Sequence, residues 1–447
     1  MPKKAKRFFD DRRFGMVRTP FLTEITMSNA LLDELSWRGL IAQSSDYERL
    51  SEHLKDTRTL YCGFDPTADS LHIGNLVPLL TLRRFQEAGH RPIVLLGGAT
   101  GLVGDPSGRD DERSLNDESI VAGWVNNIRR QTEKIIDFDG GALIANNLDW
   151  TKDLGVIPFL RDIGKYFSVN AMIQRDSVRT RLERADQGIS YTEFSYMLLQ
   201  GMDYLELAKL YQCSLQIGGS DQWGNIVSGV DLVRRHLSEE VFAMTLPLVT
   251  KADGTKFGKT AGGSIWLDSE KTSPYSFYQF WLNAADADAE NYLKIFTFVD
   301  REEIAELAQS IVDAPEKRAA QLKLAEEVTR LVHGDEAVAS AKRITDALFG
   351  GELSGLTEAD FAQLSLDGLE VSEVNPGDGL LSVMAEAQLA KSVGEARKLV
   401  QGGGVRINGE VVQDHQATVS FDEAFYGRYL MLKRGKKVHH LLVKTGT

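Results

Sequence analysis

Leu60–Leu76, LYCGFDPTADSLHIGNL, packs a strand, a turn and a helix start into one run. Leu60-Tyr61-Cys62-Gly63-Phe64 is apolar and aromatic, as an inner strand requires. Asp65-Pro66-Thr67 turns the chain, because Pro66 fixes φ and offers no N–H to a ladder. Asp69 or Ser70 can cap a helix beginning near Leu71. That reading puts His72 in a first helical turn, among unpaired backbone N–H groups at the positive end of the dipole. Such a terminus with an added imidazole donor suits an anion such as phosphate. Gly74 leaves room for a flat ligand to approach the backbone. Taken alone, His72 reads more simply as an ordinary histidine at a helix start; distant partners reverse that preference.

Working outward, Val77–Ala88 continues a helix that ends at Gly89, and Pro92–Leu96 is a second apolar strand. Strand–helix–strand order predicts the α/β class with a doubly wound parallel sheet. The second strand runs into the glycine-rich segment 97–108, which is neither a dinucleotide fingerprint nor a Walker loop. It lies at the carboxyl edge of a strand, where such sheets bind ligands. There Asp105 can hold an ammonium, and Arg109 and Arg113 can meet phosphates. A structural turn with solvated charges explains this loop equally simply.

Glu118–Ile136, Phe159–Val169 and Met172–Arg184 read as helices, and Tyr191–Leu210 as a long one. Tyr196, Gln200 and Asp203 stand at i, i+4 and i+7 of that helix, on one face. Buried polar groups need partners, so either a polar ligand or an internal network must meet them. Ser214–Ile217 is a third strand, ending in a loop with Gly219, Asp221 and Gln222. Asp221 is placed to accept a ribose hydroxyl, or merely to cap the next helix. Leu246–Thr250 is a fourth strand. It leads into segment 251–260, where Lys256, Lys259 and Thr260 suit a transferring polyphosphate. A solvated basic loop is the simpler account of that segment alone.

The chain has 447 residues, 43% hydrophobic and 26% charged, as a globular protein of several domains has. No apolar run is long enough to span a membrane, and no signal peptide follows the start. Cys62 and Cys213 are the only cysteines, too few for a disulfide framework or an all-cysteine zinc site, which fits a reducing cytoplasm. The formal net charge of -13 opposes non-specific nucleic-acid binding by the whole surface. Residues 1–26 are rich in Lys and Arg and read as a disordered extension, or as the product of a start codon upstream of Met16 or Met27, rather than as a nucleic-acid tail or targeting segment. Segment 271–348 is helical and begins aromatic-rich; 350–379 is acidic and reads as a linker with small connecting elements. The last piece, 380–447, turns basic. Lys391, Arg397 and Lys398 mark a helix, and Asn408-Gly409 between 405–407 and 410–413 signals a type I′ hairpin carrying Arg406. One sign of charge on a helix and hairpin reads as an RNA footprint.

His72-Ile73-Gly74-Asn75 and Lys256-Phe257-Gly258-Lys259-Thr260 resemble the two signatures of class I aminoacyl-tRNA synthetases. YCGFDPTADSLHIG, GGATGLVGDPSG, YTEFSYMLLQ, QIGGSDQWGNI and LPLVTKADGTKFGKT narrow the likeness to the bacterial tyrosyl branch, from about Met27 onward. The C-terminal piece is similar to the S4 RNA-binding domain. The resemblance implies a Rossmann-like catalytic domain over 27–270, a helical domain on the anticodon side over 271–350, a linker over 351–379 and an S4-like domain over 380–447. It implies L-tyrosine, ATP with Mg2+, and the cognate tRNA as substrates, a homodimer, and no structural metal. It also implies roles. Tyr61 and Asp203 would bond the phenol hydroxyl, Asp105, Tyr196 and Gln200 the ammonium, and Gln222 the carboxylate region. Gly63, Asp65, Gly74, Asn75, Gly219 and Asp221 would serve the nucleotide. Thr67, His72, Lys256, Lys259, Thr260, Arg109 and Arg113 would stabilise departing pyrophosphate. Asn75 departs from the commoner second His and cannot carry charge. A tryptophanyl sister enzyme, or an RNA-binding protein on a retired synthetase scaffold, are the competing readings.

Overall fold

The structure, a computed structural model, describes residues 29–105, 116–183, 188–255, 257–260 and 263–446; of 176, 177, 180, 259 and 260 only the backbone is described. The first sheet has six strands: β1 (Gln43–Ser44), β2 (Thr59–Phe64), β3 (Arg91–Leu96), β4 (Leu143–Asn146), β5 (Cys213–Gly219) and β6 (Phe242–Leu246). Their order is β1-β6-β5-β2-β3-β4, and all neighbours are parallel except β1, which runs antiparallel to β6. The chain therefore builds outward from β2 through β3 to β4, then returns to add β5 on β2's other side. That reversal between β2 and β5 is the switch point at which such sheets open a crevice.

Helices cover both faces, so β2 is without charged residues and apolar from Leu60 to Phe64. Leu60, Cys62 and Phe64 pack into the core shared with helix Leu76–Glu87, while Tyr61 joins Tyr204 and Leu205 of helix Tyr191–Tyr211. The period of two separates them. The fourth expected strand is displaced: β6 ends at Leu246, and segment 247–249 instead lines a cavity. Within this sheet β1 and β4 escaped the sequence reading, because two and four residues carry little periodicity.

After β6 come two short antiparallel strands, β7 (Lys259–Thr260) and β8 (Gly263–Ser264). Helices Pro274–Leu282, Asp286–Phe296, Arg301–Asp313, Ala319–His333 and Asp335–Leu348 follow. The second sheet holds β9 (Val371–Val374), β10 (Val405–Ile407), β11 (Glu410–Val411), β12 (Tyr429–Arg434) and β13 (Val438–Lys444), in the order β11-β10-β12-β13-β9. The β10–β11 turn has Asn408 at φ 50° and Gly409 at φ 94°, as a type I′ turn demands.

Segment 350–379 does more than link. β9 pairs with β13 in the C-terminal sheet, and Phe361 stacks on Phe425 and Tyr429. On its other side Asp367 accepts from Ser273 N and Ser276 Oγ, and Gln363 accepts from Tyr275 N. The boundary expected at residue 380 thus falls inside a packed body, whose acidic composition hid its buried face.

Candidate active site

A cavity of about 430 Å³ opens at the carboxyl ends of β2 and β5. Its walls include Tyr61, Gly63, Asp65, Thr67, His72, Gly74, Asn75, Asp105, Tyr196, Gln200, Asp203, Gly219, Asp221 and Gln222. The strands supply Tyr61 and Gly63 from one side of the switch point and Gly219 from the other. Arg109, Arg113 and Lys256 lie outside the described residues; of Lys259 and Thr260 only the backbone is described, in β7.

At the closed end, Asp203 is buried and accepts from Asn147 Nδ2 at 3.0 Å and from Trp150 Nε1 at 3.0 Å. Burial pushes its carboxyl up to about 7, against the pull of those two hydrogen bonds. Burial, then the charge of Asp203, raises the Tyr61 phenol well above its usual range, so that phenol stays a donor. Tyr61 Oη, Gln200 Oε1 and Gln216 Oε1 are buried with no hydrogen-bond partner among the described residues. Three orphaned polar atoms lining one cavity are costly unless a polar ligand meets them.

Midway, Asp65 takes hydrogen bonds from Tyr196 Oη and Thr100 Oγ1, each at 2.6 Å. The resemblance gave Asp65 to the nucleotide and Tyr196 to the ammonium; here they hold each other. Gln222 Nε2 reaches Asp105 Oδ2 at 2.7 Å and Asp221 Oδ2 at 3.2 Å. Burial raises the Asp221 carboxyl, the Gln222 bond opposes it, and the charge of Asp105 adds to the rise.

At the mouth, the expected helix start at Leu71 is corrected. His72 has extended backbone (φ -113°, ψ 171°) and caps a short 3-10 turn, Ile73–Asn75, before helix Leu76–Glu87. Its backbone is held by a bridge to Trp266, and Leu71 O and Ile73 N pair with Leu267 N and Ile265 O. The local propensity for a helix start lost to that tertiary pairing. His72 Nδ1 accepts from Gly74 N at 3.0 Å, which makes Nε2 the protonated nitrogen of the neutral ring. Asn75 Oδ1 accepts from His72 N at 3.0 Å and completes a capping box. Gly74 faces the imidazole: a Cβ there would lie 2.8 Å from His72 Cε1. The absent side chain makes room for the histidine rather than for a flat ligand.

The lysine-bearing segment meets this turn. Ile265 N donates to Gly258 O at 3.2 Å while Ile265 O accepts from Ile73 N at 3.0 Å. One residue thus ties both signatures together. Gly258, at φ 79°, stands against Ile73, and Phe257 lines the cavity.

The sequence reading missed Asn147, Trp150, Thr100 and Gln216. Asn147 also accepts from Ala99 N at 2.7 Å and so braces the glycine-rich loop against Asp203. Its signal was the apolar run Leu143-Ile144-Ala145 ending in Asn146-Asn147, a strand end like the others. Gln216 is the neighbour of Tyr61 across the sheet, which register alone reveals.

The family model "tRNA synthetases class I (W and Y)" matches residues 54–350, and "Tyrosine--tRNA ligase SYY-like C-terminal domain" matches 360–442. A tyrosine–tRNA ligase of Aliivibrio fischeri (strain MJ11) is 56% identical over 424 residues, 94% of this chain and all of that one. The chain belongs to the tyrosine–tRNA ligase family. A further ligase, of Salmonella paratyphi C, is 54% identical over 94% of this chain and 99% of its own. Among solved structures, a C-terminally truncated mitochondrial tyrosyl-tRNA synthetase of Aspergillus nidulans superposes with TM-score 0.64 at 32% identity, covering 72% of this chain and 94% of that one. A tryptophanyl-tRNA synthetase of Encephalitozoon cuniculi shares the fold, with TM-score 0.53 at 13% identity over 74% and 89% of the two chains. The ligase family accounts for both bodies of the chain, catalytic and C-terminal, and it outweighs the tryptophanyl and retired-scaffold readings.

Proposed function

We propose that the cavity binds L-tyrosine with its ring inward and joins it to the α-phosphate of ATP before transfer to tRNA. The observation that supports this most is the grading of the cavity. Two hydroxyl-recognising groups, Tyr61 and Asp203, close the inner end, while His72 and the lysine-bearing segment share the mouth. The phenol of the substrate meets Tyr61 and Asp203. Its ammonium meets Asp105 and the orphaned Gln200 carbonyl, and Gln222 turns toward its carboxylate. Asp221, Gly63 and Gly219 take the nucleoside, with Thr67, Gly74 and Asn75 beside it.

A carboxylate is ionised at neutral pH, so it attacks phosphorus without a general base. What the protein supplies is position and charge. His72 Nε2–H, Lys256, Lys259, Thr260, Arg109 and Arg113 meet the charge on departing pyrophosphate, and Mg2+ enters with ATP as part of the substrate. The terminal adenosine of tRNA then attacks the adenylate. Lys391, Arg397, Lys398 and Arg406, all exposed, offer phosphate contacts to that tRNA. Among the described residues no helix is long and apolar enough to cross a membrane. We place the reaction in the cytoplasm, where its substrates are.

Selectivity follows from burial. A pocket built to bond a hydroxyl strongly rejects the analogue lacking it, tyrosyl enzymes facing phenylalanine being the usual illustration. Amino-acid-dependent ATP–pyrophosphate exchange tests the proposal. Exchange with tyrosine, and little with phenylalanine or tryptophan, is expected. No exchange, or preference for tryptophan, overturns it.

A further inference from the structure

Two arginines outside the cavity converge on one helix end. Arg84, on helix Leu76–Glu87, is only 5% exposed and donates through Nη2 to Thr297 O at 2.6 Å and Ile295 O at 3.2 Å. Arg38, after helix Ala30–Trp37 and 4% exposed, donates to Lys294 O at 2.8 Å, Thr297 O at 3.0 Å and Val299 O at 2.8 Å. These carbonyls end helix Asp286–Phe296, where unpaired acceptors and the negative dipole end favour cations. Glu34 offsets the Arg38 charge through a 2.6 Å ion pair, and Phe298 lies under the Arg84 guanidinium at 4.5 Å. Burying two like charges on one carbonyl is expensive where apolar packing would serve.

The clamped helix reaches the mouth of the cavity. Its Tyr292 and Phe296 hold Phe257, with ring centroids 5.1 Å away in both cases and the Phe296 ring nearly parallel. Phe280 and Trp281 close the box at 5.7 and 5.8 Å. The next residue, Gly258, stands against Ile73, which lies just ahead of the helix that carries Arg84. Phe257-Gly258 is thus wedged between the body that bears Arg84 and the helix that Arg84 grips.

We propose that Arg84, assisted by Arg38, is a positioning residue for adenylate formation: by fixing helix Asp286–Phe296 against helix Leu76–Glu87, it sets where Phe257, and with it the lysine-bearing segment, stands relative to His72. This rests on the reading that His72 and that segment meet ATP. The tyrosine pocket lies on β2, β5 and helix Tyr191–Tyr211, whereas the hydrogen bonds and ring contact of Arg84 go to Ile295, Thr297 and Phe298. Loss of the clamp is therefore expected to act chiefly on the ATP side.

The test is steady-state ATP–pyrophosphate exchange by the full chain, with melting temperature recorded beside it. Arg84→Met is expected to lower kcat at least tenfold and raise KM for ATP, with KM for tyrosine within twofold of wild type. Arg84→Lys, which keeps one donor, recovers part of kcat. Arg301→Met is the control: it removes the exposed 2.7 Å pair with Glu34 on the same interface but not the clamp. It should shift melting without touching kcat. If Arg84→Met does not fold, Arg84→Lys is combined with Phe257→Leu. Coupling through the helix makes the double loss smaller than the product of the single losses. Multiplicative losses, an Arg84→Met kcat within twofold of wild type, or an equal rise in tyrosine KM each overturn the proposal. Absence of exchange in the wild type would instead sink the reading beneath it.

Discussion

His72 shows what a single residue contributes and what its neighbours must do for it. Gly74 N fixes the tautomer, and Asn75 caps the same turn, so the imidazole presents a neutral N–H to the mouth. His72→Ala removes one preorganised donor, and adenylate formation should fall about 100-fold, ~3 kcal/mol, with tyrosine KM near normal. A parallel loss in tyrosine binding, measured by pre-steady-state exchange, would contradict that role. Asp203 carries the pH dependence. Its folded value, about 7, stands above the unfolded carboxylate value of 3.8, so the group's contribution to stability is fully present below the latter and is lost as pH rises through the former. In the proposed binding mode ligand recognition runs the other way, because the phenol hydroxyl would need the ionised acceptor. kcat/KM for tyrosine should therefore rise between pH 6 and 8, on the order of one pK unit either side of that value. Asp203→Ala should flatten the profile and relax rejection of phenylalanine; an unchanged profile would remove Asp203 from the pocket's chemistry.

Elements place these residues where side-chain identity alone cannot. β2 and β5 deliver their carboxyl ends to one crevice, and helix Tyr191–Tyr211 lays Tyr196, Gln200 and Asp203 along its side. The i, i+4, i+7 spacing was readable in the sequence; that Tyr196 spends its hydroxyl on Asp65 was not, because 131 positions separate the pair. The 3-10 turn Ile73–Asn75 leaves no room for a side chain at Gly74. Gly74→Ala puts a methyl group 2.8 Å from the imidazole and should displace it. Its kcat for exchange should fall at least tenfold, about 1.4 kcal/mol, with the melting temperature near that of the wild type. A fully active variant would show the ring position to be dispensable. Asp367 acts between elements, holding Ser273 N and Ser276 Oγ at the start of helix Pro274–Leu282. Asp367→Ala should cost about 2 kcal/mol of stability in denaturant titration, and an unchanged midpoint would mean that the helix start is capped well enough by Ser273 itself.

At the scale of the whole molecule, exposed apolar side chains gather in segment 156–191. Val156 and Ile157 are 71% and 70% exposed, and the exposed Leu160, Val169 and Tyr191 line one shallow depression. Exposed apolar surface of this kind marks an interface, and we propose that two copies of the chain meet there. Ile157→Glu should convert a dimer to a monomer in light scattering; a wild type already monomeric at micromolar concentration would refute it. Segment 350–379 binds the helical and C-terminal bodies by facing both. Only its partners reveal this, since its apolar residues are too few and too irregular to declare a period.

By itself the sequence determined the doubly wound class, the long helix over Tyr191–Leu210, the type I′ hairpin and much of the polar lining of the cavity. These rest on local periodicity, turn chemistry and side-chain type, which act over a few residues. Tertiary structure alone decided that β6 ends at Leu246, that His72 caps a 3-10 turn instead of riding in a helix, that Asn147 and Trp150 brace Asp203, and that Gln216 faces Tyr61 across the sheet. Each depends on a hydrogen bond, strand end or strand register that local sequence does not fix. In such a contact the geometry belongs to the pair, and neither residue's neighbours along the chain encode it.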